Sequence, residues 1–244
     1  MIFFRRKNKP SADFSNIRTD IHSHLLPGID DGVPSVEVSL RIIRGMVSLG
    51  YRKLVTTPHI MWDMYKNTPA MIQARLDEVQ LAIQKEGIDI ELSAAAEYFI
   101  DDHFEELLRE KKPLLAIKDN LVLVEFSMVS QPFDLKEVLF EMQMQGYQPI
   151  IAHPERYVYL DQNKTFYDEL KDSGCFFQCN LLSLSGYYGK TVQELAKYLT
   201  RARYYDYVGS DIHSLRHMES LRSSSLRSNL DKLLETCNIR NHLL

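Results

Sequence analysis

The chain has few cysteines, three in 244 residues, and a single tryptophan. Cys175, Cys179 and Cys237 are too few, and odd in number, for a disulfide framework, which fits a reducing compartment and a cytoplasmic location. None of them opens a Cys-x5-Arg phosphate loop, so a thiolate phosphatase mechanism is excluded. There is no P-loop, no dinucleotide fingerprint and no Gly-x-Ser-x-Gly elbow. No apolar run approaches the length of a membrane span. Glycine and proline, at 10 and 9, are too sparse for a linker or low-complexity tract, and no internal repeat is visible. A net charge of -4 argues against a nucleic-acid surface, although bound cations would reverse the sign locally for an acidic substrate. The opening Met-Ile-Phe-Phe-Arg-Arg-Lys-Asn-Lys places its apolar residues before its charges, which is not a signal peptide. We read residues 1–18 as a basic leader and 19–244 as one domain.

What is present is an alternation of short β-rich runs with amphipathic helical ones. Extended segments are expected at 18–22, 53–57, 88–94, 120–125, 148–152, 175–179 and 205–209. Helices are expected at 36–49, 69–86, 101–110, 133–145, 164–171, 191–202 and 218–234. Asn120-Leu-Val-Leu-Val-Glu125 is so continuously apolar that both of its faces should be buried. About seven strand–helix units in unbroken series predict a parallel α/β protein, and the absence of a composition shift favours one closed barrel over a doubly wound sheet.

Potential ligands fall at the ends of these strands. His22 and His24 lie two apart in an extended segment, so both imidazoles face one side. Alone this means little, because eight histidines would give about 0.3 such pairs by chance. Yet Asp31 follows the same strand, His59 the second, Glu97 the third, Glu125 ends the fourth, His153 the fifth, and Asp211 and His213 the seventh. Each has an ordinary explanation as a packed histidine or helix-capping carboxylate. Their recurrence at every strand but the sixth is what ordinary explanations do not supply, since the C-terminal strand ends of a parallel barrel share one mouth. Imidazole and carboxylate without thiolate suit catalytic divalent ions such as manganese, iron or zinc. The donors are too many for one ion, so two or three are implied, and their residual positive charge would suit a hydroxide nucleophile and a phosphate dianion. Arg156, just after His153, is placed to clamp phosphoryl oxygens; the competing reading is a salt bridge to Glu155 or Asp161. Tyr157, Tyr159, Tyr187 and Tyr188 could line an aromatic mouth, but among thirteen tyrosines packing is the expected role.

Asp-Ile-His-Ser-His-Leu-Leu-Pro-Gly-Ile-Asp-Asp-Gly (20–32), Thr-Pro-His (57–59), Ala-His-Pro-Glu-Arg (152–156) and Gly-Ser-Asp-Ile-His-Ser (209–214) together resemble the polymerase-and-histidinol-phosphatase superfamily. Within it they are similar to the manganese-dependent tyrosine-protein phosphatases of bacterial capsule and exopolysaccharide loci. The resemblance implies a distorted TIM-like (β/α)7 barrel and a trinuclear site. One ion would be held by His22, His24, Glu97 and Asp211, a second by Glu97, Glu125 and His153, and a third by Asp31, His59 and His213. It also implies that Arg156 binds phosphate and that the substrate is the phosphotyrosine tail of a bacterial tyrosine kinase. Asp31 and His59 are the candidates for any proton donation to the leaving phenolate. The runner-up readings are a small-molecule phosphatase of the same superfamily, such as a histidinol phosphatase, and a metal-dependent amidohydrolase. The latter lacks a bridging lysine at a strand end and gives Arg156 no task. A non-catalytic binding module on the same barrel is disfavoured by the complete ligand set.

Overall fold

The computed structural model describes residues 13–244, and most of the expected leader, 1–12, lies outside the described residues. Its remaining part joins the core: Phe14 and Ile17 are buried, and Phe14 stacks on Tyr51 at 5.0 Å.

The elements follow in the expected order. They are β1 (Thr19–Asp20), α1 (Val36–Ser48), β2 (Lys53–Thr56), β3 (His59–Ile60), α2 (Pro69–Lys85), β4 (Glu91–Ala94), β5 (Glu97–Phe99) and α3 (Asp102–Arg109). Then come β6 (Leu121–Glu125), α4 (Leu135–Met144), β7 (Gln148–Ala152), α5 (Thr165–Asp172), β8 (Phe176–Asn180) and α6 (Leu181–Ser185). The chain ends with α7 (Lys190–Ala202), β9 (Tyr207–Gly209), α8 (Leu215–Leu221) and α9 (Ser224–Thr236). Helix starts carry side-chain caps that satisfy otherwise orphaned amides: Ser35 for α1, Thr68 before Pro69 for α2, and Asp101 for α3.

All strand pairs are parallel, in one sheet ordered β1-β2-β4 and another ordered β3-β5-β6-β7-β8-β9. The second and third expected strands, 53–57 and 88–94, correspond to β2 and β4, and each is followed by a short strand that was not expected, β3 and β5. Pro58 has no amide to give, and this interrupts the ladder between β2 and β3. Backbone bonds nevertheless carry the pairing across the break, from the Ala95 amide to Thr56 and from the Glu97 amide to Pro58. Beyond β1 and β9 the chain pairs again: Ser23 and Ile212 form a parallel bridge, the His24 amide donates to Ile212, and the Asp211 amide donates to His22. The result is an α/β protein with a curled parallel sheet.

The curl has two cores. Ile21, Val55, Ala95, Leu123, Ile150 and Tyr207 belong to a small inner cluster, while Val122, Val124, Ile151, Phe177 and Cys179 pack outward with the helices. Both faces of β6 are therefore covered, as its apolar run predicts. Period-two alternation then puts Glu97 above Ala95 and Glu125 above Leu123, at the C-terminal end of the inner face. The expected final helix is broken into α8 and α9 because Ser214 and Ser223 each cap a new start. Among the described residues no helix is long and apolar enough to cross a membrane.

Asn241 staples the first and last strands from below. Its Nδ2 donates to Thr19 O at 2.9 Å and Val208 O at 2.8 Å, and its Oδ1 accepts from the Val208 amide at 2.9 Å. Asn241→Leu leaves these buried backbone groups without partners and should cost about 2–4 kcal/mol, read as a lower urea midpoint at unchanged slope; an unchanged midpoint would remove Asn241 from the closure.

Candidate metal centre

The structure brings every predicted ligand to one place. Glu97 is fully buried at the centre of the group. Its Oε2 lies 3.0 Å from His22 Nε2, 3.4 Å from His24 Nε2 and 3.2 Å from His59 Nδ1, and its Oε1 lies 3.1 Å from His153 Nε2. Glu125 Oε1 is 3.0 Å from His59 Nδ1. Asp211 Oδ1 is 3.3 Å from His22 Nε2 and 3.5 Å from His24 Nε2. At the outer edge Asp31 Oδ1 stands 3.4 Å from His213 Nε2 and 3.5 Å from His59 Nε2.

These atoms form overlapping groups with metal-ligand spacing: His24, Asp31, His59 and His213; His22, His24 and Asp211; His22, Glu97 and His153; His59, Glu97 and Glu125. The ring orientations fit resident cations. His22 Nδ1 donates to Gln178 Oε1 at 2.8 Å, His24 Nδ1 to Asp30 Oδ2 at 2.8 Å, and His213 Nδ1 to the Asp211 carbonyl at 2.9 Å. Each bond leaves the Nε2 lone pair facing the carboxylates, the arrangement by which outer hydrogen bonds orient metal-binding imidazoles. His24 Nε2 and His59 Nδ1 are buried and have no hydrogen-bond partner. Orphaned ring nitrogens among buried carboxylates call for a cation.

Backbone geometry aims the ligands. His153 (φ 35°) and Asp211 (φ 49°) both sit in the left-handed region, which is costly for residues with a Cβ and concentrates at functional sites. Two glycines clear the space: a Cβ on Gly32 would lie 2.4 Å from the His24 carbonyl, and one on Gly209 2.6 Å from His22 Cβ. The Ile-Asp-Asp-Gly turn and the Val-Gly-Ser-Asp strand end thus need glycine for close approach.

Arg156 returns over the site through a tight turn in which its amide donates to His153 O. Its Nη1 donates to Asp211 Oδ2 at 2.8 Å, and its guanidinium lies over the Tyr188 ring at 4.7 Å. The alternative salt bridges do not form. Glu155 turns inward, accepting from the Asn180 amide and Tyr205 OH, and Asp161 pairs with Lys164. A cavity of about 950 Å3 opens above, lined by Asp31, His59, Glu125, His153, Arg156 and Asp211. Its apolar wall is made by Met61, Met64, Tyr65, Phe99, Met128 and Val129. Of the four tyrosines considered for the mouth, only Tyr188 lines it; Tyr157 is fully buried against Phe126, and Tyr159 OH donates to Ser127 O.

Sequence reasoning missed the orienting residues. Asp30 stood beside Asp31 in the quoted motif, and Gln178 was a polar residue at an inward position of a buried strand. That strand gives no ligand, but it supplies Gln178 for His22 and Asn180, whose Nδ2 donates to Asp211 Oδ2 at 2.7 Å.

The electrostatics follow from this crowding. Burial opposes charge on Glu97, Asp211 and His22, but neighbours of opposite sign outweigh it. Glu97 is held well below the usual carboxylate range by His22, His59 and His153, and Asp211 by His22, His213, His24 and Arg156. His22 is pushed up to about 9 because Glu97 and Asp211 overcome its burial. A hydrogen bond from His213 takes Asp31 down to about 2.

Residues 18–235 match the family described as "Capsular polysaccharide synthesis, CpsB/CapC". The chain is 32% identical over 198 residues to the tyrosine-protein phosphatase YwqE of Bacillus subtilis, covering 81% of this chain and 78% of that one. It superposes with TM-score 0.77 and 28% identity on a chain from the crystal structures of YwqE from Bacillus subtilis and CpsB from Streptococcus pneumoniae, described as unique metal-dependent tyrosine phosphatases, covering 91% of this chain and 96% of that one. A histidinol phosphate phosphatase from Lactococcus lactis, in complex with zinc, L-histidinol and phosphate, shares the fold alone, at TM-score 0.56, 12% identity and 95% coverage of both chains.

Two outcomes follow from the site. A cation needs the ring lone pair that a proton occupies on His22 below about 9, so affinity should rise from pH 6 towards 9. Manganese titrated at pH 7 should then release protons, seen by calorimetry in buffers of different ionisation enthalpy; buffer-independent heats would contradict this. Gln178→Leu should weaken manganese binding roughly 10- to 100-fold while the protein stays folded.

Proposed function

Because the chain belongs to the capsular polysaccharide synthesis CpsB/CapC family, we propose that it is a metal-dependent phosphatase that hydrolyses phosphotyrosine on a protein substrate. The observation that carries this reading is the pairing of a buried imidazole–carboxylate cluster with Arg156 at the floor of an apolar-walled cavity.

The ions would be divalent, manganese foremost, and three in number. His22, His24, Glu97 and Asp211 would hold one, Glu97, Glu125 and His153 a second, and Asp31, His59 and His213 a third. When bound, such ions lower the pKa of water and neutralise phosphoryl oxygens. The bonds that join the segments after β1 and β9 support a distorted TIM-like barrel of seven β/α units in a single domain. Three unpaired, buried cysteines fit a cytoplasmic enzyme.

The chain's own residues act on each part of the substrate. Arg156 commits one nitrogen to Asp211 and keeps the rest of its fork for the phosphoryl oxygens. Tyr188 lies beneath the guanidinium at 4.7 Å and supports it through a cation–π contact. Met61, Met64, Tyr65, Phe99 and Met128 give the phenyl ring an apolar wall that excludes bulk water. Water adds its oxygen to phosphorus as the bond to the phenolic oxygen breaks. Phenolate, with a conjugate acid near pKa 10, needs little proton donation. Asp31 and His59 both line the cavity and are the groups available for it. The protein substrate is the tyrosine-rich tail of a bacterial tyrosine kinase that governs capsule or exopolysaccharide synthesis.

The test compares a phosphotyrosine peptide with histidinol phosphate, each with manganese and with chelator. Chelator-sensitive peptide turnover should dominate. Arg156→Ala should lower kcat/KM about 10²- to 10³-fold, with metal content unchanged, and Arg156→Lys should not restore it, because an ammonium lacks the planar fork. Preference for histidinol phosphate would overturn the substrate, and hydrolysis of neither ester by the metal-loaded protein would overturn the phosphatase reading.

A further inference from the structure

Beside the catalytic cavity lies a second hollow of about 420 Å3, and the two share Met64 and Tyr65 as a common wall. This ridge is rigidly built. Met61 and Tyr65 exchange backbone bonds in a tight turn, Asn67 Nδ2 donates to both Ile29 O and His59 O, and the Tyr65 ring stacks on His59 at 5.5 Å. The ridge therefore belongs at once to the candidate metal centre and to the trough behind it.

The trough's surface is unusual for bare solvent. Met64 is 63% and Met71 45% exposed, and both line the hollow together with Ala74 and Arg75 from α2. Isolated exposed methionines need no explanation, but adjoining ones in a concave site mark adaptable contact surface. Lys66 stands at the edge, its ammonium 5.9 Å from the Trp62 ring, with no carboxylate partner among the described residues. The neighbouring Arg75 is already paired with Glu78. A lysine with no carboxylate partner among the described residues, beside exposed methionines, is complementary to an acidic residue flanked by an apolar one.

We propose that this trough is a subsite for residues flanking the phosphotyrosine of the substrate chain, reading an acidic side chain at Lys66 and an apolar one against Met71. The inference rests on the phosphatase reading and extends it. The cavity takes the phosphorylated ring, the Met64–Tyr65 ridge separates ring from backbone, and the polypeptide continues over the ridge into the trough. The chain thereby distinguishes a phosphorylated polypeptide from a small aryl phosphate, which fills only the first cavity.

The measurement is kcat/KM with manganese for two substrates: a phosphotyrosine peptide with glutamates and leucines on both sides, and p-nitrophenyl phosphate. Ala74 is exposed on α2, so Ala74→Trp fills the trough without disturbing the core. It should lower kcat/KM for the peptide about tenfold, mainly through KM, and leave p-nitrophenyl phosphate within about twofold. Lys66→Glu should reduce the acidic peptide about threefold and favour a lysine-flanked one. If both variants treat the peptide as the wild type does, or if both substrates fall together, the subsite is overturned while the phosphatase reading stands. If the metal-loaded wild type hydrolyses neither substrate, the phosphatase reading falls and takes the subsite with it.

Discussion

The structure is organised around one electrostatic demand: the buried Glu97 carboxylate must be met by positive charge. Its two oxygens face four imidazoles at 3.0–3.4 Å, with Glu125 and Asp211 sharing some of the same rings. Several carboxylates in so little volume repel one another and have lost their hydration, a combination that a folded protein tolerates only with cations or protons in place. Protons meet the demand on His22, His24 and His59, which the carboxylates hold above the usual imidazole range, and divalent ions would meet it better because each brings two charges without occupying a nitrogen with hydrogen. The strained backbones of His153 and Asp211 and the close approach at Gly32 and Gly209 are all ways of delivering donors to this point.

Much of this was legible in the sequence because parallel α/β topology converts linear order into convergence. The donors at strand ends, from His22 to His213, needed only the alternation of elements to be placed at one mouth, and the structure places them there. The helices were legible where apolar spacing and a cap agreed, as at Ser35 before α1 and Thr68-Pro69 before α2. Apolar spacing alone ran α8 and α9 together, because it continues through Ser223 while the capping hydroxyl restarts the helix. The short strands β3 and β5 were also hidden, since Pro58 reads as a stop although the ladder resumes beyond it.

What the sequence concealed was the layer behind the ligands. Gln178, Asp30 and Asn180 lie far along the chain, or in another turn, from the side chains they orient, and amide or carboxylate side chains occur too often to mark themselves. The sixth strand looked idle because it carries no ligand. It is instead the strand that sets the tautomer of His22 and anchors Asp211. The tyrosines beside the catalytic motifs follow the packing role expected of them: Tyr157 and Tyr159 pack against strand ends, while the sequence did not reveal that the wall of the mouth is made largely by Met61, Met64, Tyr65, Phe99 and Met128.

Asp211 shows how the proposed phosphate contact and the imidazole–carboxylate cluster are joined. Its Oδ1 faces His22, His24 and His213, while its Oδ2 accepts from Arg156 and from Asn180. One carboxylate thus divides its two oxygens between the imidazole cluster and the Arg156 guanidinium. Coulombic attraction at these distances is strong in a desolvated site, so Arg156 is held where the cluster's charge balance puts it. In the proposed reaction a phosphate dianion would offer Arg156 a second acceptor without breaking the first, because the guanidinium fork has donors to spare. Tyr188 lies beneath the guanidinium at 4.7 Å. Arg156 is therefore positioned by the same carboxylate that faces the imidazoles, and neither part of the site can be set independently of the other.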